Sequence, residues 1–169
     1  MMGIFVDSKT DKFWTHTAGG KLPERNDIEV KYTWNLEDVY ESSEEWEKDF
    51  TWIEEHIPAY KEFSGRIGES AESLLKVFKF DDEIGIKLER LYLYAMLSKD
   101  LDLSDSQSRA RYDRISSLYA DASANSSFIR PEILSFPREK IDGFINELDE
   151  LKIYKHAIEN LFRTKEHTL

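Results

Sequence analysis

Four histidines, His16, His56, His156 and His167, are the side chains best suited to hold a metal or move a proton near neutral pH. None belongs to an H-E-x-x-H pair, in which two imidazoles one helical turn apart bind a metal beside a carboxylate base. His156 and Glu159 also fall one turn apart, but a metal site inside a helical bundle needs matching ligands on other helices, and none stands out. A surface pair is the simpler reading. Asp100, Asp102, Ser104 and Ser106 alternate as calcium-loop ligands do, yet Asp105 stands where such a loop needs glycine and Arg111 where it needs a bidentate glutamate. The chain has no cysteine, which removes thiolate nucleophiles, thiolate metal sites and disulfides together. No G-x-S-x-G elbow, phosphate-cradling glycine loop or dinucleotide fingerprint occurs. Gly65-x-x-Gly68 matches a nucleic-acid-clamping loop only superficially, because the strands of that module are missing. Asn125-Ser126-Ser127 forms a glycosylation acceptor by chance, inside a stretch that reads as helix.

Two charge clusters remain. Residues 36–55 hold nine acids and a single lysine, which read as a solvated face that complements a helix N-terminus, with a basic partner as the alternative. Arg109, Arg111 and Arg114 place three cations in six residues, a solvated face before an anion site. No catalytic, cofactor-binding or metal-ligating residue is therefore assigned within this chain.

The elements that would position these groups are helices. Phe80 to Leu97 is the densest amphipathic stretch: Ile84, Leu88, Leu91 and Ala95 recur at i, i+4, i+7 and i+11. Leu93, Tyr94 and Met96 widen its second half, which predicts neighbours on more than one side. Before it, Ser42-x-x-Glu45 is a capping box that starts a helix with Trp46, Phe50, Ile53, Ile57 and Tyr60 inward, and Pro58 is expected to kink it or split off its last turn. Gly65 to Gly68 reverses the chain; the next helix is capped near Ser70, carries Leu74, Leu75, Val77 and Phe78 inward, and Gly85 suggests a close crossing or a kink. Ser104-x-x-Gln107 reads as the cap of a helix with Tyr112, Ile115, Tyr119 and Ala122 inward, reaching about Ile129. Pro131 is expected to stop that helix, and Pro137 to start another with Ile141, Phe144, Ile145 and Leu148 inward. A last helix from about Leu151 to Thr164 uses Tyr154, Ile158 and Leu161. The predicted fold is all-α, five or six antiparallel helices in an up-and-down bundle over residues 34–169. Residues 1–33 show no periodicity and read as an N-terminal arm or tail, in which Phe5, Phe13 and Trp14 are aromatic enough to dock.

Composition sets outer bounds. At 169 residues one domain is the default, and 22 aromatics with a 40% apolar share can build a core. A net charge of −11 repels nucleic-acid phosphates and anionic lipid, so neither nucleic acid nor membrane is an expected partner. With no basic start followed by an apolar run, and no cysteine, the expected location is cytoplasmic.

Seven segments carry a family resemblance, and they occur in order: Lys21-Leu22-Pro23-Glu24-Arg25; Tyr32-Thr33-Trp34-Asn35-Leu36-Glu37-Asp38-Val39-Tyr40; Trp46-Glu47-Lys48-Asp49-Phe50; Phe63 to Ala71; Leu88 to Ala95; Phe128 to Leu134; and Lys165 to Leu169. Over about residues 21–169 the chain resembles the N-terminal region of oligoendopeptidase F, one of the thimet-oligopeptidase-like zinc peptidases. The resemblance implies a cytoplasmic, largely helical enzyme that hydrolyses short peptides in a deep channel. Zinc is then held by the two histidines of H-E-x-x-H and a downstream glutamate, with the motif's glutamate as general base. None of those residues lies in these 169, so the chain would form part of the channel wall and by itself would neither bind zinc nor cleave peptides. Its partners would be the missing C-terminal catalytic region and, through the apolar face left uncovered, a second copy in a homodimer. The alternative is a stand-alone helical interaction module without catalytic activity.

Overall fold

The computed structural model describes residues 28–165. The arm with Phe5, Phe13 and Trp14, together with His16 and His167, lies outside the described residues. The chain divides into two compact units, residues 1–34 and 35–169. In the described part of the first, a single 3-10 turn, Val30–Tyr32, follows an ion pair between Lys31 and Glu29 at 2.6 Å.

The second unit contains six α-helices and, among the described residues, no strand. A 3-10 turn at Leu36–Asp38 leads Tyr40 into the core, and α1 (Ser43–His56) follows. Ser42 caps α1 by accepting from the Glu45 N–H, while the Glu45 carboxylate pairs with Lys48 rather than turning back to the cap. The three-and-four spacing turns Trp46, Phe50, Ile53, Ile57 and Tyr60 inward, none more than 5% exposed. Pro58 acts as expected: α1 ends before it, and Ile57–Glu62 continues as a separate 3-10 segment with proline in its first turn.

The return to α2 runs through Gly65, whose φ of 81° is the left-handed conformation glycine tolerates. Gly68 is required for a different reason. The Phe136 ring lies where its Cβ would be, with Cζ 2.2 Å from that position. Ser70 caps α2 (Ala71–Leu101) by accepting from the Ser73 N–H. This helix runs unbroken for 31 residues, about 46 Å at 1.5 Å per residue. A close crossing at Gly85 is absent, since nothing lies within 4 Å of a Cβ built there. Ile84, Leu88, Leu91 and Ala95 are buried as their spacing requires, and Tyr94 joins them while Leu93 stays exposed. Neighbours do lie on several sides: α2 meets α1 and two later helices.

α3 (Ser106–Ser126) follows after a four-residue turn, short enough to force an antiparallel neighbour. Its cap is Asp105, one residue beyond the expected Ser104; the Asp105 carboxylate accepts from the Gln107 and Ser108 N–H groups, a stronger acceptor than a hydroxyl. α3 presents Ile115, Leu118 and Ala122 to the core and leaves Tyr119 46% exposed, so the buried stripe runs through Leu118 where Tyr119 was expected. It also ends at Ser126, and Pro131 sits in the first turn of the next helix, α4 (Ile129–Ser135), where its missing N–H costs nothing.

α5 (Arg138–Glu147) follows Pro137 and buries Ile141 and Ile145. The stretch expected to begin the last helix is instead a 3-10 turn, Asp149–Tyr154, with Leu151 fully buried; α6 (Lys155–Lys165) follows and buries Ile158. These side chains form one contiguous cluster. Each fully buried Leu or Ile contributes roughly 1.5–3 kcal/mol to the bundle.

Candidate functional site

The polar side chains collect along the seam between α1 and α2. Asp49 of α1 faces α2, where Lys87 forms an ion pair with one carboxylate oxygen, and the Tyr40 hydroxyl donates to the other at 2.8 Å. Arg90, one turn beyond Lys87, lies over the Tyr40 ring at 4.3 Å and donates to the Val39 carbonyl at 2.7 Å. Burial pushes the Asp49 carboxyl up, but the hydrogen bonds from Lys87 and Tyr40, helped by the Lys87 and Arg90 charges, outweigh it and hold the group below its ordinary value. Burial and the bond to Asp49 push the Tyr40 phenol well above its ordinary range, so it remains a donor.

Two further phenols repeat this arrangement on adjacent α2 residues. Tyr60 donates to Asp81 and Tyr154 to Asp82, each at 2.6 Å. Burial, then the aspartate bond, raises both phenols, Tyr154 to about 12. Neutral phenols locked to carboxylates act as positioned donors; they fasten the segments before and after the main helices onto α2.

Two concavities open along this face. One, of about 670 Å³, runs beside α1 and is lined by Ser43, Glu44, Glu47, Lys48, Thr51, Trp52 and Glu55. Trp52 is stacked on His56 at 3.8 Å, and Lys87 lies 5.1 Å from its ring centre. The other, about 410 Å³, is lined by Asp49, Lys79, Asp82, Glu83, Ile86, Lys87 and Arg90.

Several candidates read from the sequence have a place here. The arginine cluster acts between helices: Arg114 clamps Glu47 with two bonds of 2.7 and 2.8 Å and covers the Phe50 ring at 4.2 Å, while Arg111 donates to Ser43 at 3.1 Å. The Arg114 guanidinium holds the Glu47 carboxyl below the usual carboxylate range, against a smaller opposing effect of burial. Part of the acidic run thus serves α3 and α2 rather than solvent alone. His156 contacts Asn160 at 3.0 Å and Glu159 reaches Lys155 at 4.0 Å, so the pair is engaged with its own helix. Asp102 accepts from the backbone and hydroxyl of Ser104, an ordinary turn. Among the described residues no three His, Asp or Glu side chains gather where a metal ion would sit. No described helix is long and apolar enough to cross a membrane.

One contact escaped sequence reading entirely. Glu132 of α4 accepts from two N–H groups of the turn before α2, Gly65 at 2.8 Å and Ile67 at 2.9 Å. The pairing spans 67 and 65 positions, and no local pattern announces it.

The helical fold of this unit is shared with a solved peptidase. A family model described as Oligopeptidase F matches residues 132–169. Oligopeptidase PepF of Bacillus subtilis (strain 168) is 36% identical over 149 residues, covering 88% of this chain and 22% of that protein. Group B oligopeptidase PepB of Streptococcus agalactiae serotype III (strain NEM316) is 32% identical over 145 residues, 86% of this chain and 24% of its own length. Among solved structures, oligoendopeptidase-F from Enterococcus faecium superposes with a TM-score of 0.70 at 26% identity, over 76% of this chain and 25% of that one. A putative peptidase from Chlamydophila abortus shares the fold, with a TM-score of 0.76 at 23% identity over 88% of this chain and 25% of its own. The chain is thus a relative of the oligoendopeptidase F peptidases, as its ordered segments implied. It spans about a quarter of the length of the relatives it matches.

Proposed function

We propose that this chain is the N-terminal helical part of a cytoplasmic zinc oligoendopeptidase that hydrolyses short peptides, with residues 34–169 as a helical lobe in the wall of the substrate channel and residues 1–33 as an arm. The observation that supports this reading is similarity to oligopeptidases over 86–88% of the chain but only 22–24% of theirs. A wall also agrees with the geometry, in which ionisable side chains are paired across helix seams and the concavities are open.

Zinc would supply a polarised water for peptide-bond hydrolysis. The described residues of this chain do not fit it: His156 and Glu159 are engaged on their own helix, and no cluster of three donors forms. No catalytic step is derived for these residues. The zinc ligands and general base would lie in the missing C-terminal catalytic region, and short peptides and that region would be the partners. In its absence the chain would associate as a homodimer.

The test is an internally quenched oligopeptide assayed with the purified chain, and with a chimera in which it replaces its matched segment in the Bacillus subtilis relative. Chelator-sensitive turnover by the chimera and none by the chain is the expected result. Chelator-sensitive turnover by the chain alone, or a folded chimera without turnover, overturns the proposal. Light scattering of the chain should give a dimer whose population grows with salt; a clean monomer at high concentration in low and moderate salt refutes the dimer.

A further inference from the structure

Among the described residues of this unit five large apolar side chains are exposed, and two of them share one face of α2. Ile86, at 68% exposure, stands on the outer face of α2; Leu93, 42% exposed, follows seven residues later on the same face; and Ile153 is 76% exposed. Ile153 belongs to the 3-10 turn that rests on this stretch of α2, held there by Tyr154 on Asp82 at 2.6 Å and Glu150 on Lys79 at 3.6 Å. Single exposed leucines are ordinary, but isoleucine is among the most often buried residues, and a run of such side chains marks an interaction surface. Around Ile86 stand Lys79, Asp82, Glu83, Lys87 and Arg90, which line the 410 Å³ concavity with it and carry charges of both signs. An apolar centre within a mixed-charge rim is the anatomy of a protein–protein contact.

Resting on the function proposed above, we infer that this α2 face, centred on Ile86, Leu93 and Ile153, is the seat of the remaining three quarters of the peptidase polypeptide. The length relation selects that occupant: nearly the whole chain aligns with relatives of which it makes up 22–24%, and the remainder must pack on some face of this lobe. A second copy is the weaker occupant here, since two chains of net charge −11 repel. The other candidate face, where α2 meets α3, is less suited. There the Tyr92 and Tyr112 hydroxyls satisfy each other at 2.8 Å and Tyr119 packs edge-on against Tyr92, so this aromatic group is internally partnered.

The chimera with the Bacillus subtilis relative supplies the experiment. Ile86→Glu, Leu93→Glu and Ile153→Glu are introduced together, and Leu103→Glu is the control. Because all four side chains are exposed, circular dichroism and the melting temperature of the isolated chain, kept monomeric by dilution and low salt, should hardly change with either set. In the chimera, the α2 set should cut turnover at least tenfold and shield those three positions no longer from hydroxyl-radical footprinting, while the control leaves both unchanged. If the unsubstituted chimera is active but its three positions react as strongly as in the isolated chain held monomeric by dilution and low salt, or if the α2 set is silent, the inference is overturned and the proposed function stands. A folded but inactive chimera that shields the three positions supports the contact and counts against the function. A chimera that does not fold refutes both.

Discussion

Replacing Glu132 should loosen the unit where α4 meets the turn that leads into α2. Its carboxylate accepts from the Gly65 N–H at 2.8 Å and the Ile67 N–H at 2.9 Å, joining α4 to the turn between the Ile57–Glu62 segment and α2. A hydrogen bond to a charged group contributes about 1.5–3 kcal/mol. The Gly65 bond is exposed, so water replaces most of it; the Ile67 bond is part-buried and its loss strands a donor. Glu132→Ala should therefore cost about 2–3 kcal/mol, and Glu132→Gln, which retains one acceptor, roughly half that. For a chain of this size each kcal/mol moves the melting temperature by about 2–4 °C, which puts Glu132→Ala some 4–12 °C below the wild type. Differential scanning calorimetry and urea titration, with unchanged m-value, measure it. If the alanine variant lies within 0.5 kcal/mol of wild type, or the glutamine variant is the less stable of the two, the clamp does not hold the turn, taking about 0.5 kcal/mol as the ordinary surface spread.

Gly85→Ala should stabilise by about 1 kcal/mol, since its surroundings are open and glycine is a poor helix former; destabilisation in urea would reveal a packing role. Gly68→Ala should destabilise by about 1–3 kcal/mol through collision with Phe136, and Phe136→Leu should recover part of the loss in a double-mutant cycle. In acid, Asp49, depressed in the folded state, contributes stability above its unfolded value near 4 that is lost as the pH falls through the folded one; Asp49→Asn should flatten this part of the melting-temperature profile. In alkali the sign reverses for Tyr154, raised to about 12: its contribution is complete below the unfolded value of about 10 and lost as the pH climbs through 12, and Tyr154→Phe should remove that dependence.

Helix identity was legible wherever a buried stripe recurs. Trp46 to Tyr60 and Ile84 to Ala95 both turned inward as spaced, because a helix in a bundle has one way to bury such a stripe. Phase at the ends was harder. Ser104 and Asp105 both cap well, and with Ile115 and Ala122 inward either Leu118 or Tyr119 could complete the stripe; the core takes Leu118. Gly85 misled because helix propensity records only a cost, while the open space beside it appears only once α2 is placed. Family kinship was visible in the ordered segments. The seams were not: Arg114 with Glu47, Lys87 with Asp49 and Glu132 with Ile67 join positions 67, 38 and 65 apart, and one sequence does not say which opposite charges will meet.

α2 touches α1, α3 and α5, and two of its aspartates hold the 3-10 segments by their tyrosines. The amides between Ile84 and Ala95 can therefore trade their protons with solvent only when the whole unit opens. The shorter α4, α5 and α6 have fewer such ties and can open by smaller fluctuations. Hydrogen exchange should divide the molecule accordingly, into a slow spine along the middle of α2 and a faster C-terminal block beginning near Ile129.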